Sequence, residues 1–418
     1  MSIWRIKGEL PLEGSLRIHG AKNSVLPIMA ASIIVGCETQ LQNCPELSDV
    51  NASLNILRHL GCEVSREGDV VNIESGGITS CHIPHGLMRE MRSSVIFLGA
   101  ILARCGEAVL STPGGCELGP RPVDLHLAGL RALGAEITEH GGNILCRAGK
   151  LHGAHINLSV PSVGATENVM LAACVAEGET TITNAAQEPE IIDLGRYLRA
   201  LGAEVTGTGT STITVTGFRP KKRVEHRVMP DRIVASTMLS AAASAGGMLE
   251  LRGVIPETFE TVTAALEEMG CEVERGANSV TLRRHKPLRA GKPISTKPYP
   301  GFPTDAQPTL MAAALKADGT TVFVENIFEN RFRHVGELRR LGADIRTELR
   351  VAMVTGVSRL HAAPVNATDL RGGAALVVAA LAAEGETIIH DTGHIDRGYE
   401  SLDRSLRELG ADIIKEES

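Results

Sequence analysis

Residues 200–205 read ALGAEV, and variants of that phrase recur along the chain. They are HLGCEV at 59–64, ALGAEI at 132–137, EMGCEV at 268–273, RLGADI at 340–345 and ELGADI at 408–413. Each follows a helix-patterned stretch, so its glycine falls where a helix closes, a position that favours the left-handed conformation. The acidic and β-branched residues that come next start a strand. The copies are spaced by about 70 residues, longer than a typical solenoid repeat, which predicts six small α/β units.

A second mark keeps the same beat. Ala-rich apolar stretches close near Gly36, Gly106, Gly178, Gly247, Gly319 and Gly385. The runs that follow, TQLQNC, AVLSTP, TTITNAA, MLELRGV, TTVFVENI and ETIIHDTG, have the β-branched content of strands. One unit therefore reads buried helix, strand, loop, amphipathic helix, then further strands. Six units divide into three plus three. The boundary is predicted within residues 221–230, KKRVEHRVMP, which is basic, polar and free of either period.

The totals agree with two domains. At 418 residues the chain exceeds one ordinary core, so two domains of about 200 residues are expected. Aromatics are scarce and Trp4 is the single tryptophan, so aliphatic residues must fill the cores. A formal charge of -7 gives no basis for broad nucleic-acid binding, although a local basic pocket is compatible with it. The nine cysteines show no C-x-x-C pairing and no zinc spacing with histidine, which argues against a disulfide framework or a metal site and favours a reducing cytoplasm. The start, MSIWRIKGELPLEG, lacks the apolar core of a signal peptide, and the most apolar runs are too short to span a bilayer. GxxxxGK[ST], a GxGxxG opening a helix after a strand, and HExxH are all missing, so P-loop, Rossmann and zincin chemistry lack support.

The polar residues concentrate at two places in the unit. Just before the buried helices stand Lys22 and Asn23, Arg92, Ser162 and Thr166, Asp231 and Arg232, Thr304 and Asp305, and Asp369 and Arg371. Thr304, Asp305 and Asp369 suit N-caps. Lysine and arginine there are opposed by the helix macrodipole, so their recurrence points to an anionic ligand. The loops after the first strands carry Cys116 and Arg121, Glu188 and Glu190, Arg331, and Asp396 with Arg397. Cys116 lies in STPGGCELGPRPVDLH, residues 111–126. A free cysteine is usually a small buried hydrophobe, but adjacent glycines give a movable loop and a nearby arginine lowers a thiol pKa. Two three-unit domains facing each other would direct both sets into one cleft.

Several uncommon phrases run in one order. They are GAKNSVLPIMAA at 20–31, PGGCELGPRPVDLH at 113–126, PSVGATEN at 161–168 and NAAQEPEIIDL at 184–194. PDRI at 230–233, GFPTDAQ at 301–307, ENRFRHV at 329–335, ATDLR at 367–371 and HIDRGYE at 394–400 complete the series. With them the whole chain resembles the UDP-N-acetylglucosamine 1-carboxyvinyltransferases of the enolpyruvyl transferase family.

That resemblance implies an α/β fold of two similar domains, each of three βαβαββ-type units around buried parallel helices, an inside-out α/β barrel. One domain would span 22–229 and the other 1–21 with 230–418, with the active site in the cleft between them. The implied reaction moves the enolpyruvyl group of phosphoenolpyruvate to the 3′-hydroxyl of UDP-N-acetylglucosamine and releases phosphate, in the bacterial cytoplasm, with no cofactor. Nucleic acid and membrane are not implied partners.

By the same resemblance, Cys116 donates the carbon proton and carries a phosphoenolpyruvate-derived adduct. Lys22, Arg121 and Arg397 surround the phosphate, Asn23 lies beside the substrates, and Arg331 and Arg371 meet the carboxylate. Asp305 is the base for the sugar hydroxyl, and Arg92, Arg121, Pro122, Val123, Asp124, Leu125 and Ile327 contact the nucleotide sugar. Two departures stand out. Val160 and Pro161 replace a lysine-bearing version, and DLRGG replaces a serine-containing one after Asp369. A sister transferase acting on shikimate 3-phosphate would share the six-unit fold but lack the PGGC loop. A silent UDP-sugar-binding paralogue would normally lose Cys116, Asp305 or a phosphate arginine.

Overall fold

The computed structural model describes residues 2–91, 93–111 and 123–417. Its six main sheets share one plan. In the sheet built from His82–Ile83, Glu107–Ser111, Asn143–Arg147 and Glu136–His140, in that order, the first pair is parallel and the other two are antiparallel. The other five repeat it around second strands Glu38–Gln42, Glu179–Thr183, Gly247–Arg252, Thr320–Val324 and Glu386–His390. These second strands are the runs that the sequence marks after each Ala-rich stretch.

The repeated phrase closes helices as expected. Gly61, Gly134, Gly202, Gly270, Gly342 and Gly410 all have φ between 89° and 116°. At five of the six, the residue after the glycine donates to a carbonyl five residues back: Cys62 to Leu57, Ala135 to Leu130, Cys271 to Leu266, Ala343 to Leu338 and Ala411 to Leu406. This is the helix-closing pattern that a left-handed residue permits.

The described chain divides into two compact units, one holding residues 20–229 and the other residues 2–19 with 230–417. Gly20 and Ala21 belong to the first, where the Ala21 amide donates to the Met229 carbonyl at 2.7 Å. In the second unit the N-terminal strand Ser2–Lys7 lies between Glu386–His390 and Asp412–Glu417, antiparallel to both. Leu12–Arg17 runs parallel to Gly247–Arg252. Trp4 and Ile6 are thereby fully buried.

One expectation is corrected. Residues 221–230, read as free of either period, contain the strand Arg223–Arg227, parallel to Glu38–Gln42 at a sheet edge. Only Val224 and His226 turn inward there while Arg223, Glu225 and Arg227 are exposed, and so little apolar content hides the alternation.

Each unit is built around three helices that are apolar on nearly every face, the pattern of helices with no solvent side. In the first these are Lys22–Ala31, Phe97–Cys105 and Val163–Ala173. In the second they are Arg232–Ala245, Gln307–Ala313 and Leu370–Ala380. Alanine and glycine let these helices approach closely, and hydroxyls within them fold back on their own backbone: Ser236 Oγ donates to the Arg232 carbonyl at 2.7 Å, Ser240 Oγ to that of Ser236 at 2.8 Å. Each fully buried leucine contributes about 2 kcal/mol by leaving water. Among the described residues no helix is long and apolar enough to cross a membrane.

The helix-closing glycines differ in what a side chain would meet. A Cβ at Gly202 would lie 1.9 Å from the Arg219 carbonyl oxygen, whereas at Gly410 the nearest atom is the Pro11 carbonyl oxygen at 3.6 Å. Gly410→Ala is expected to cost about 1 kcal/mol through its left-handed backbone alone, and Gly202→Ala at least about 2 kcal/mol because backbone must move as well. Urea unfolding of both variants checks this; equal losses would contradict the steric argument.

Candidate functional site

In the unit of residues 20–229, polar groups gather where the Lys22–Ala31 helix begins. Ala21 precedes it without a side-chain cap, and Lys22 is its first residue. The unfavourable macrodipole is answered by Asp49, whose Oδ2 lies 2.7 Å from Lys22 Nζ with both side chains buried. Asp49 sits in the first turn of the helix Ser48–Leu60, where a carboxylate is favoured. Two residues further, Ser24 Oγ donates to Asp193 Oδ2 at 2.5 Å, and the Met229 amide donates to the same oxygen at 3.1 Å. His226 Nε2 lies 3.2 Å from the other carboxylate oxygen, and the His226 ring stands edge-on to Tyr197. The helix start is thus pinned on both sides of Asn23, which is exposed.

Val123 precedes the helix Asp124–Ala132, with Asp124 in its first turn and Leu125 half-buried. His126 is buried and packs as a structural residue, its Nδ1 accepting from Asn168 Nδ2 at 2.8 Å, while Asn168 Oδ1 accepts from the Gly99 amide at 2.7 Å. Glu188 precedes the helix Pro189–Leu201 and Glu190 lies buried in its first turn. Burial, then Glu190 and Glu188, pushes the Glu167 carboxyl well above the usual carboxylate range. Arg92, Cys116, Arg121 and Pro122 lie outside the described residues.

In the other unit the structure brings Asp305, Arg331 and Arg371 into contact. Asp305 Oδ1 lies 2.8 Å from Arg331 Nη2, and Oδ2 lies 3.1 Å from Arg371 Nη2. Both arginines are almost fully buried, at 2 % and 3 % exposure, while Asp305 keeps 27 % of its side chain accessible. Arg331 also donates from Nε and Nη2 to the Thr304 carbonyl at 3.2 and 2.8 Å. The Arg371 guanidinium lies 5.2 Å from the Tyr399 ring centre, and that of Arg331 lies 5.6 Å from the Phe328 ring. Arg371 Nε and Nη1, both buried, have no well-directed acceptor among the described residues. Burial alone would raise the Asp305 carboxyl, but Arg371 and Arg331 outweigh it and hold the group well below the usual carboxylate range.

The capping expectations divide. Asp369 is an N-cap, accepting from the amides of Arg371 and Gly372 at 3.0 and 2.9 Å. Thr304 and Asp305 are not caps, because the helix Gln307–Ala313 follows Ala306 with no side-chain cap. Asp305 turns to the arginines instead, and Thr304 Oγ1 donates to Glu325 Oε2 at 3.0 Å. Ile327 is exposed on the loop beyond Glu325. Arg397 is half-buried at the end of the turn Thr392–Arg397, two residues before Tyr399.

A profile of the EPSP synthase family (3-phosphoshikimate 1-carboxyvinyltransferase) matches residues 6–406. A UDP-N-acetylglucosamine 1-carboxyvinyltransferase 2 of Caldanaerobacter subterraneus subsp. tengcongensis is 47% identical over 99% of this chain and 100% of its own. A UDP-N-acetylglucosamine 1-carboxyvinyltransferase of Halorhodospira halophila is 47% identical over 98% of each chain. The chain belongs to the enolpyruvyl transferase family. The fold agrees: the enolpyruvyl transferase NikO from Streptomyces tendae matches with TM-score 0.89 and 28% identity, covering 99% of this chain and 98% of that one. EPSP synthase from Acinetobacter baumannii, at 21% identity and TM-score 0.78 over 100% of both chains, shares the architecture.

In this family member, sequence reasoning missed the buried acids that hold the site cations and loops, Asp49, Asp193 and Glu325. It also missed His334, fully buried with Nδ1 3.1 Å from the Arg331 carbonyl. Burial, opposed by Asp369 and reinforced by Arg331, lowers the His334 pKa to about 4. An unfolded histidine takes its proton near pH 6.5, so between those values the unfolded state binds more protons. Stability contributed by neutral His334 is therefore lost as pH falls from about 6.5 towards about 4. His334→Gln is expected to lose less stability than wild type between about pH 7 and about pH 5 in urea unfolding; identical losses would contradict this.

Proposed function

We infer that this chain transfers the enolpyruvyl group of phosphoenolpyruvate to the 3′-hydroxyl of UDP-N-acetylglucosamine with release of phosphate, the first committed step of peptidoglycan precursor synthesis in the bacterial cytoplasm. The observation that carries this is identity of 47% over essentially the full length of relatives bearing that enzyme name. The family profile is described by the shikimate enzyme, so the acceptor is what an assay must discriminate.

The chemistry assigns work to each polar group. Phosphoenolpyruvate is protonated at its methylene carbon, leaving oxocarbenium character at the neighbouring carbon. The sugar hydroxyl attacks there and gives its proton to a base. Phosphate then leaves as the added proton is withdrawn from the methyl group, restoring the double bond. Cys116 is assigned the proton delivery, and Lys22, Arg121 and Arg397 the phosphate. Asn23, Arg92, Pro122, Val123, Asp124, Leu125 and Ile327 are assigned to substrate contact. Arg331 and Arg371 are assigned the carboxylate, and Asp305 is assigned as base. No metal or cofactor enters this scheme.

The Asp305 cluster sets a condition on its role. A carboxyl held far below its ordinary range is a poor proton acceptor. An anion drawn to Arg371 and Arg331 shares their charge, weakens its hold on Asp305 and raises the basicity of that residue. Substrate binding would thus prepare its own base, with Asp305 spared protonation until the anion arrives.

Phosphate release from phosphoenolpyruvate, measured with either UDP-N-acetylglucosamine or shikimate 3-phosphate, tests the assignment. Release is expected only with the UDP-sugar, with kcat reduced at least about a hundredfold in Cys116→Ala and in Asp305→Asn. Release with shikimate 3-phosphate alone would transfer the reading to the sister enzyme. No release with either, from folded protein, would indicate a silent UDP-sugar-binding paralogue.

A further inference from the structure

We propose that Glu325 is a positioning residue that sets the proton-accepting Asp305 and the Ile327 loop together. The proposal rests on the roles assigned to Asp305 and Ile327 above. Glu325 is 1 % exposed and stands at the end of the strand Thr320–Val324, where its own amide donates to the Arg350 carbonyl at 2.8 Å. Its carboxylate faces in two directions. Oε1 accepts from the Ile327 and Phe328 amides at 2.8 and 3.0 Å. Oε2 accepts from Thr304 Oγ1 at 3.0 Å.

Each arm ends on a site residue. Thr304 adjoins Asp305, and its carbonyl takes two bonds from Arg331, so the Thr304 hydroxyl fixes the peptide from which Asp305 projects and the acceptor that orients Arg331. The other arm shapes the turn that presents Ile327 and places Phe328 beneath the Arg331 guanidinium. Asn326 secures the same turn from outside, its amide donating to Thr296 Oγ1 at 2.9 Å and its Nδ2 to the Thr296 carbonyl at 3.0 Å. An alanine at 325 would leave two backbone donors and one hydroxyl unmet in a partly buried place, and both arms would relax. Small misplacements of a reacting group carry large rate penalties, so the effects divide by arm.

Steady-state phosphate release with varied UDP-N-acetylglucosamine tests this in Thr304→Val, Glu325→Gln, Glu325→Ala and Asp305→Asn. Thr304→Val cuts only the base arm, and kcat is expected to fall roughly tenfold with the UDP-sugar KM within about twofold of wild type. Glu325→Ala cuts both, lowering kcat by a similar factor and raising that KM roughly tenfold. Glu325→Gln keeps an amide oxygen for the two backbone donors, while its NH2 can donate to a reoriented Thr304 hydroxyl. It should therefore stay within about threefold of wild type on both constants. Adding Thr304→Val to Glu325→Ala should lower kcat no further.

Wild-type kcat in Thr304→Val, an unchanged KM in Glu325→Ala, or a Glu325→Gln as impaired as the alanine variant would each overturn the proposal. If Glu325→Ala fails to fold, Thr304→Val and Glu325→Gln still decide it. Full turnover by Asp305→Asn would instead refute the base assignment. An inactive Asp305→Asn beside a wild-type Thr304→Val would refute only the coupling.

Discussion

In the second unit one carboxylate is held between two buried guanidiniums, and its neighbours are arranged around that contact. Taking Arg331 and Arg371 out of water is costly, and Asp305 returns part of that cost through contacts at 2.8 and 3.1 Å. The surroundings are built to keep the arginines in place: the Thr304 carbonyl holds Arg331, the Tyr399 ring lies beside Arg371, and the Asp369 cap fixes the helix turn that carries Arg371. The pairing holds the Asp305 carboxyl well below its ordinary range while leaving it partly accessible. Lys22 and Asp49 repeat the device in the other unit, where a cation at a helix start is held by a buried acid.

The fold makes such placements possible by repetition. Each unit of six ends a helix in a left-handed glycine and turns its strands so that a buried helix begins near polar loops. Helices with no solvent face cannot place charge along their sides, so the charges collect at their ends. Lys22, Arg232 and Arg371 all stand in the first two residues of such helices. Buried charge is thereby concentrated at one kind of position, while the sheets and Ala-rich helix interiors carry stability.

Much of this was legible in the residues. The LGA-E/D phrases gave the helix ends because only a residue free to adopt positive φ closes a helix this way. The Ala-rich runs marked the buried helices, and the cations at their starts are what the sequence offers as a sign of an anionic ligand. The strand Arg223–Arg227 stayed hidden because an edge strand needs few apolar residues, and the chain supplies only Val224 and His226. Thr304 and Asp305 have the residue types of caps, and only the presence of two distant arginines and of Glu325 redirects them. Asp49, Asp193, Glu325 and His334 carry no local pattern, since their partners lie 21 or more residues away or are backbone groups. Arg92, Cys116, Arg121 and Pro122 remain assignments from sequence alone.

The most direct measurement is the titration of the Asp305 carboxyl by carbon-13 NMR, assigned with Asp305→Asn, in the Cys116→Ala background, which is expected to lack turnover. Without ligand the resonance should stay that of a carboxylate to well below the ordinary range, as its two arginines require. With phosphoenolpyruvate and UDP-N-acetylglucosamine bound, its midpoint should move upward, because the ligand carboxylate then shares Arg331 and Arg371. A midpoint unchanged by saturating substrates would contradict the central claim that the bound anion frees this carboxylate to act as the base.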